Sequence, residues 1–354
     1  MDSGRPRILV IRRDNIGDLV CTLPLLAALR AAWPAAWIGA LVTRYNAEVL
    51  HAHPDLDAVY TYQKLKHRAR GEGVVGLLAE RLGQLWQLRR RGLDLAILAA
   101  EGQQASARRM ARLAGARRIV AAGDLPPVSG RHETERVLRV LDLLDLPAAA
   151  GPGATRPAAP RIVPRAGLVG AMRERLFASR PASLPAGNGA LLGLHLSARK
   201  PSQRWPLAAW VALLRRLHGA HPDWRFVLFW APGAADNPLH PGDDAKAAAL
   251  LAECAGLPVA ACATASLAEL VAGLSLVDAL VCADGGHMHL AAALGKPLVC
   301  LFGRSEAARW HPWGVPYRLL QPASLEVADV TPEEVAMALG QLPLPGNAGV
   351  TTVG

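Results

Sequence analysis

The chain contains 354 residues, of which 51% are hydrophobic and 19% charged, and its formal net charge is +10. This length exceeds that of a typical single core and the composition excludes a disordered protein, so we expect two globular domains. No apolar run is long enough to span a bilayer, and the first residues lead into a predicted strand without a signal peptide's apolar core. We therefore expect a cytoplasmic protein. The five cysteines, in apolar surroundings and without a CxxC pair, favour buried reduced thiols over disulfides or zinc ligands.

The positive charge is concentrated in one segment. Residues 61–120 contain 13 Lys and Arg against four Asp and Glu, a net charge of +9. One interpretation is a solvated basic surface. The other is a binding site for an anionic partner, such as a phosphorylated lipid, an acidic membrane surface or nucleic acid. Nucleic acid is the weakest of these, because no recognised binding motif accompanies the charge.

The N-terminal part, residues 1–150, predicts alternating strands and helices. A strand at 7–11, a polar loop with a glycine and a helical pattern at 19–32 are typical of the start of a nucleotide-binding-like α/β domain. The further elements predicted here are strands at 37–42, 59–62, 93–99 and 119–122, and helices at 45–51, 76–91, 105–113 and 133–144. Residues 147–164, rich in Pro, Ala and Gly, cannot build a core, and we interpret residues 151–185 as a linker and hinge region.

A second alternation occupies residues 186–342, and residues 343–354 are interpreted as a flexible tail. The predicted strands are at 191–196, 225–230, 259–261, 279–283 and 297–302, and the predicted helices are at 207–218, 245–254, 287–295 and 332–339, with one more beginning at Ser266. Apolar strands bounded by Gly and Pro indicate parallel strands buried on both faces. The predicted fold class is therefore α/β, with two Rossmann-like parallel-sheet domains facing each other across a cleft.

Polar residues cluster where predicted strands end, and ligands of open parallel sheets bind at that edge. Asp18, after the first strand, is either a helix N-terminal carboxylate or a general base, and Asp14 is a second candidate. The loop after the strand at 191–196 holds Ser197, Arg199, Lys200, Ser202, Gln203 and Arg204. Its hydroxyls, cations and helix N-terminus suit a diphosphate, although an ordinary charged loop is the alternative.

Several other patterns lose support. Asp55-Leu56-Asp57 resembles a metal-binding DxD motif, but it follows a proline and is interpreted as a turn. His51 with His53, or His287 with His289, has no third ligand nearby, so no metal site is predicted. No GxGxxG or P-loop spacing occurs, which disfavours NAD-linked and kinase functions.

Three motifs together resemble the ADP-heptose heptosyltransferases of lipopolysaccharide core assembly, glycosyltransferase family 9. They are Ile16-Gly17-Asp18 with Thr22-Leu23-Pro24, Gln203-Arg204-Trp205-Pro206, and Asp284-Gly285-Gly286 with His289-Leu290-Ala291. The resemblance covers residues 7 to about 320. It implies a GT-B fold, with the acceptor held by the N-terminal domain and the nucleotide sugar by the C-terminal domain. It also implies metal-independent, inverting transfer without a cofactor, ADP-heptose being a co-substrate.

The resemblance also implies roles for single residues. Asp18 matches the catalytic base, and Asp284, Gly286 and His289 match the donor-binding loop, in which Gly285 is also expected to contact the donor. In the mechanism that the resemblance implies, Ser197, Lys200 and Arg204 stabilise the departing ADP, and Gln203 lies in the same donor-binding loop. The sequence departs from the family pattern at three positions: Gln203 replaces a phosphate-binding Lys, Gly285 replaces a small hydroxyl residue, and His287 replaces a common Pro.

The basic run at 64–70 provides the expected acceptor-binding residues, Lys64, Lys66, Arg68 and Arg70. The expected partners are a nucleotide-sugar donor, a phosphorylated lipid-core acceptor and the anionic surface of the inner membrane, with no nucleic acid. The expected localisation is cytoplasmic and peripheral at the inner face of that membrane. Two alternatives stay open: a heptosyltransferase that acts on protein or another glycan, and a non-catalytic relative that binds nucleotide sugars or anions.

Overall fold

The computed structural model describes residues 5–62, 74–102, 104–146, 158–177, 189–236 and 242–345. The chain divides into two compact units, Met1–Val163 and Pro164–Gly354. Each unit is an α/β domain with one parallel sheet, which confirms the predicted class of two parallel-sheet domains. Within the described parts of the chain, no helix is both long enough and apolar enough to cross a bilayer.

The N-terminal unit has a five-stranded sheet in the order β3-β2-β1-β4-β5. Its strands are β1 (Arg7–Ile11), β2 (Trp37–Thr43), β3 (Ala58–Tyr62), β4 (Leu95–Leu98) and β5 (Arg118–Ala121). Its helices are α1 (Ile16–Val20), α2 (Leu23–Ala32), α3 (Val74–Arg91), α4 (Ala105–Leu113) and α5 (Glu133–Leu138), with 3₁₀ turns at Arg44–Leu50, Ala122–Asp124 and Arg139–Leu143. Because β1 is central and covered on both faces, Ile8, Leu9, Val10 and Ile11 are all buried.

Two predicted helices of this unit are broken. The pattern at 19–32 forms α1 and α2, separated at Cys21 and Thr22. The Thr22 hydroxyl donates to the Asp18 carbonyl (2.8 Å), and Pro24 lacks the N–H that would continue the helix of α1. The predicted helix at 133–144 is α-helical only as far as Leu138 and continues as a 3₁₀ turn, a common ending for a helix.

The C-terminal unit has a six-stranded sheet in the order β11-β10-β9-β6-β7-β8. Its strands are β6 (Leu191–His195), β7 (Arg225–Trp230), β8 (Val259–Ala263), β9 (Ala279–Ala283), β10 (Leu298–Leu301) and β11 (Tyr317–Leu320). Its helices are α6 (Ala166–Phe177), α7 (Leu207–Ala220), α8 (Asp244–Glu253), α9 (Leu267–Leu276), α10 (Gly286–Ala293), α11 (Ala307–Trp310) and α12 (Pro332–Gly340), with 3₁₀ turns at Pro201–Gln203 and Val327–Asp329.

Three of these elements, α6, α11 and β11, were not predicted. Helix α6 lies inside the segment interpreted as a linker and hinge, and it packs on α9 and β8. Its Met172 is buried, with its sulfur 3.5 Å from that of Cys262 in β8. Residues 151–157 and 178–185 of the same segment, and residues 346–354 of the tail, lie outside the described residues.

The two sheets each contain a point where the strand order reverses. In the N-terminal unit this point lies between β1 and β4, and in the C-terminal unit between β6 and β9. Connections leave such neighbouring strands in opposite directions, which opens a crevice at the carboxyl edge of the sheet. The residues after β1, β6 and β9 therefore lie where parallel sheets bind ligands.

Candidate active site

Asp18 lies in the first turn of α1, close to the carboxyl end of β1. Its Oδ2 accepts hydrogen bonds from the Asn15 backbone N–H (3.3 Å) and side-chain amide (2.9 Å). Its Oδ1 accepts one from Arg12 Nη2 (2.7 Å), and 14% of the side chain remains exposed. Asp18 is therefore the helix N-terminal carboxylate of one interpretation and also a positioned, accessible carboxylate, as a general base must be.

Arg12 organises this carboxylate and was not predicted. Its side chain is 2% exposed, and Nη2 also donates to Glu133 Oε1 (2.9 Å). Nε donates to Asp14 Oδ1 (2.8 Å) and Nη1 to the Ala99 carbonyl (2.8 Å), which links β1 to the end of β4. Glu133, 121 residues further along the chain, begins α5. Such a distant pairing leaves no local sequence signal.

The charges of this network support one another. Burial opposes the charge of Arg12, but Asp14, Asp18 and Glu133 together raise its pKa above the ordinary value. Burial raises the pKa of Asp14, an effect that Arg12 partly counters. A permanent cation therefore fixes the position of Asp18.

In the C-terminal unit, Gln203 and Asp284 meet at the reversal between β6 and β9. The amide nitrogen of Gln203, a residue only 4% exposed, donates to Asp284 Oδ2 (2.7 Å) and to Ser305 Oγ (3.0 Å). An amide nitrogen carries two hydrogens, so both are used within the protein. Gln203 thus orients Asp284 and keeps no N–H for a phosphate. Ser305, which follows β10, was not predicted to take part.

The rest of the predicted donor loop surrounds this pair. Ser197 Oγ accepts a hydrogen bond from the Ala231 N–H (3.0 Å), and Arg204 Nε donates to the Ala198 carbonyl (3.1 Å). Lys200 and Arg204 are both exposed, so cations are available to an anionic ligand. Trp205 is buried, and its indole N–H donates to the Val330 carbonyl (2.8 Å). Trp205 is therefore a packing residue.

The remaining donor-loop residues lie at the start of α10. Gly285 is its N-cap and Gly286 its first residue. His289 is 4% exposed and contacts the Trp310 ring edge to face, with the centroids 6.1 Å apart. Asp284 and the start of α10 therefore directly follow β9, and His289 is buried against Trp310.

The remaining candidates from the sequence are possible metal ligands and the cysteine thiols. Among the residues that the structure describes, no three His, Cys, Asp or Glu side chains are grouped so as to hold a metal ion. All five cysteines are free and buried, which confirms the prediction of reduced thiols.

The residues predicted to bind the acceptor, Lys64, Lys66, Arg68 and Arg70, lie outside the described residues. The neighbouring basic surface is described. On α3, Leu82 is 67% and Trp86 58% exposed, and the Arg90 guanidinium lies 4.6 Å from the centre of the Trp86 ring. These exposed apolar residues among arginines were not predicted.

Residues 158–330 match the family model of glycosyltransferase family 9 (heptosyltransferase). No curated protein sequence matches the chain significantly.

Solved structures match almost the whole length. A family 9 glycosyltransferase from Veillonella parvula is 18% identical, with a TM-score of 0.73 over 96% of this chain and 97% of its own. The Escherichia coli ADP-heptose LPS heptosyltransferase II is 20% identical, with a TM-score of 0.69 over 94% and 97%. The E. coli heptosyltransferase WaaC, solved with ADP, is 18% identical, with a TM-score of 0.73 over 94% and 98%. We conclude that residues 158–330 match the glycosyltransferase family 9 model and that the chain has the two-domain GT-B fold of these structures.

Proposed function

We propose that the protein transfers heptose from ADP-heptose to a hydroxyl group of a lipopolysaccharide core acceptor. The observation that carries the proposal is the family 9 match, because residues 158–330 include both the Ser197–Arg204 loop and the Asp284 loop. The donor follows from two similar structures, one named an ADP-heptose LPS heptosyltransferase and the other bound to ADP.

Asp18 acts as the general base in this proposal. The acceptor hydroxyl approaches its exposed edge, and Asp18 takes the proton while the anomeric carbon of the donor acquires oxocarbenium character. Arg12 and Asn15 hold the two carboxylate oxygens, so the base loses little freedom when the acceptor binds. A single displacement without a covalent intermediate inverts the anomeric centre.

The leaving ADP acquires negative charge, which is stabilised by loops of the C-terminal unit. Lys200 and Arg204 supply exposed cations, and the start of α10 supplies backbone amides. Asp284, oriented by Gln203, accepts hydrogen bonds from the sugar hydroxyls. Protein groups thus provide the charge stabilisation, and neither a metal nor a cofactor forms part of the proposed reaction.

The base assignment is tested with Asp18→Asn, which keeps the shape of the side chain but removes its basicity. Transfer should fall about 10²–10⁴-fold, the usual contribution of a general base, while ADP binding is retained. The matched control is Asp145→Asn, since Asp145 is a surface carboxylate of the same unit, 87% exposed beside Arg118. Substantial turnover by Asp18→Asn would refute the assignment.

A second candidate function is non-catalytic binding of nucleotide sugars or anions. Gln203 favours it, because both amide hydrogens are used within the protein and no cation stands at the position of the family lysine. Consumption of ADP-heptose separates the two functions, since only the transferase releases ADP. A third possibility, transfer to protein or another glycan, is recognised when donor is consumed with such an acceptor and not with lipid core.

The proposal includes peripheral binding to the anionic inner face of the inner membrane. The α3–α4 face, defined by Leu82, Trp86, Arg90, Arg112 and Leu113, supports it. Leu113 is 48% exposed, and Arg89 of α3 donates to its carbonyl (3.2 Å), so the two helices are neighbours. Exposed Trp and Leu beside Arg suit the headgroup region of an acidic bilayer. Lys64, Lys66, Arg68 and Arg70 are proposed to hold the acceptor phosphates.

Vesicle sedimentation tests this surface. Binding should be strong to phosphatidylglycerol vesicles, weak to phosphatidylcholine vesicles, and reduced by salt. Leu82→Ala with Trp86→Ala should lower binding about tenfold or more, because each side chain contributes roughly 1.5–3 kcal/mol when buried. Met337→Ala is the control, since Met337 is 66% exposed on α12. Equal binding by both variants would refute the surface.

A further inference from the structure

The imidazole of His287 forms a wedge between the carboxyl ends of β6 and β9, the neighbouring strands at which the strand order reverses. Its Nε2 lies 2.8 Å from the Ala283 carbonyl, which can only accept, so this nitrogen donates the hydrogen bond. Its ring stacks on that of His195, the last residue of β6, with centroids 3.8 Å apart and an angle of 11° between the planes. The imidazole therefore joins the ends of the two strands beside the predicted donor loop.

Burial disfavours a positive charge on the His195 side of the stack. His195 is 5% exposed, and burial lowers its pKa well below 6.5, with His287 lowering it further. A neutral ring in the stack avoids two positive charges in contact.

Gly285 is required by this imidazole and not by its own backbone. Its φ of 170° and ψ of 178° are extended values that any residue adopts. A Cβ added at Gly285, however, would lie 2.7 Å from Cε1 and 3.1 Å from Nδ1 of His287, too close for a real contact. The ring fills the space that a side chain at position 285 would need.

The two departures from the family pattern are thus physically linked. Gly285 and His287 are two of the positions at which the sequence departs from the pattern that the resemblance implies, and the structure brings them together. A hydroxyl residue at 285 would displace the imidazole, and loss of the imidazole would leave Gly285 beside empty space. The side chain at position 285 and the side chain at position 287 therefore depend on each other sterically.

We propose that His287 is a positioning residue for the nucleotide sugar and that Gly285 is its matched partner. The wedge fixes the backbone on both sides of Asp284, between Ala283, whose carbonyl His287 holds, and Gly285, which it contacts. Gln203 fixes the carboxylate itself. This inference rests on the proposed donor role of Asp284, and it assigns to His287 the alignment of that carboxylate with the sugar hydroxyls.

Four variants test the pairing by KM for ADP-heptose, affinity for ADP and melting temperature. Gly285→Ser and His287→Pro should each raise KM for ADP-heptose about tenfold, and the double variant should recover to within about threefold of wild type. Pro is tolerated there because it lies in the first helical turn. Affinity for ADP should change less than about threefold throughout. Gly219→Ser is the control, since a Cβ there meets nothing within 4 Å.

Three results would overturn the proposed pairing of Gly285 with His287. They are a KM increase in the double variant equal to the product of the two single increases, a normal KM for Gly285→Ser, or affinities for ADP and ADP-heptose that fall by the same factor. The last would indicate a purely structural role. If Gly285→Ser fails to fold, His287→Ala replaces it as the test, because it removes the imidazole and leaves space. An unchanged KM for ADP-heptose in His287→Ala would refute the positioning role of His287. Wild-type protein that binds neither ADP nor ADP-heptose would overturn the proposed function, and the positioning role with it.

Discussion

Replacement of Arg12 by methionine should strongly destabilise the N-terminal unit. The Arg12 side chain is 2% exposed and pairs with Asp14, Asp18 and Glu133, of which Glu133 is fully buried. Removal of one partner of a buried ion pair costs about 3–5 kcal/mol, because the opposite charge stays desolvated. Asp14 and Asp18 are more solvated and contribute less. We therefore expect a loss of about 3–5 kcal/mol, dominated by Glu133.

The loss should depend on pH in a defined direction. Burial already raises the pKa of Asp14, and Arg12 counters it; without Arg12 this pKa rises further. A carboxyl group with a raised pKa in the folded state contributes stability at low pH that is lost as pH rises through that pKa. The destabilisation by Arg12→Met should therefore grow between about pH 4 and pH 7.

Hydrogen exchange measured on peptides from β1 and β4 gives the stability of this unit separately, since a chain of two units need not unfold in one step. The control is Arg118→Met in the same unit, where a 41% exposed arginine pairs with an 87% exposed Asp145. That variant should lose less than about 1 kcal/mol. A loss of this small size for Arg12→Met would refute the argument that the network is desolvated.

Two further predictions concern the C-terminal unit. Gln203→Leu removes both amide hydrogen bonds, including the one to Asp284. The KM for ADP-heptose in steady-state assays should therefore rise about tenfold. An unchanged KM would contradict the proposal that Gln203 orients Asp284. Gly303→Ala places a Cβ 2.3 Å from the backbone oxygen of Ser202, and it should lower the free energy of unfolding, measured by calorimetry, by about 1–3 kcal/mol. Gly340→Ala is the control and should not lower it, because a Cβ at Gly340 has nothing within 4 Å. Equal melting temperatures of the two variants would contradict the close packing at Gly303.

The sequence predicted the fold well where a single physical signal dominated. The strand Arg7–Ile11, the helix Ala105–Leu113 and the strand Ala279–Ala283 have the predicted bounds, because apolar runs and helical periodicity there end at clear breakers. Helix α6 was missed because it follows a Pro- and Gly-rich stretch and contains two glycines of its own. Strand β11, at the edge of its sheet, lacks the strong apolar run of the central strands.

The candidate site was predicted in part. Local motifs identified Asp18, Asp284 and Gln203 because each follows a strand at a carboxyl edge. They did not identify the contacts of these residues: Arg12 with Glu133, or Gln203 with Ser305, joins parts of the chain 121 and 102 residues apart. Sequence spacing carries no information on such pairs, so the orientation of the carboxylates became visible only in the structure.

The most direct test of the account is mass spectrometry of a heptose-deficient lipopolysaccharide core incubated with the purified protein and a nucleotide sugar. We expect the core to gain one heptosyl group with ADP-heptose, ADP to be released in equal amount, and UDP-glucose not to replace the donor. Preference for UDP-glucose, or binding of ADP-heptose without consumption in the presence of the core, would contradict the proposed transfer.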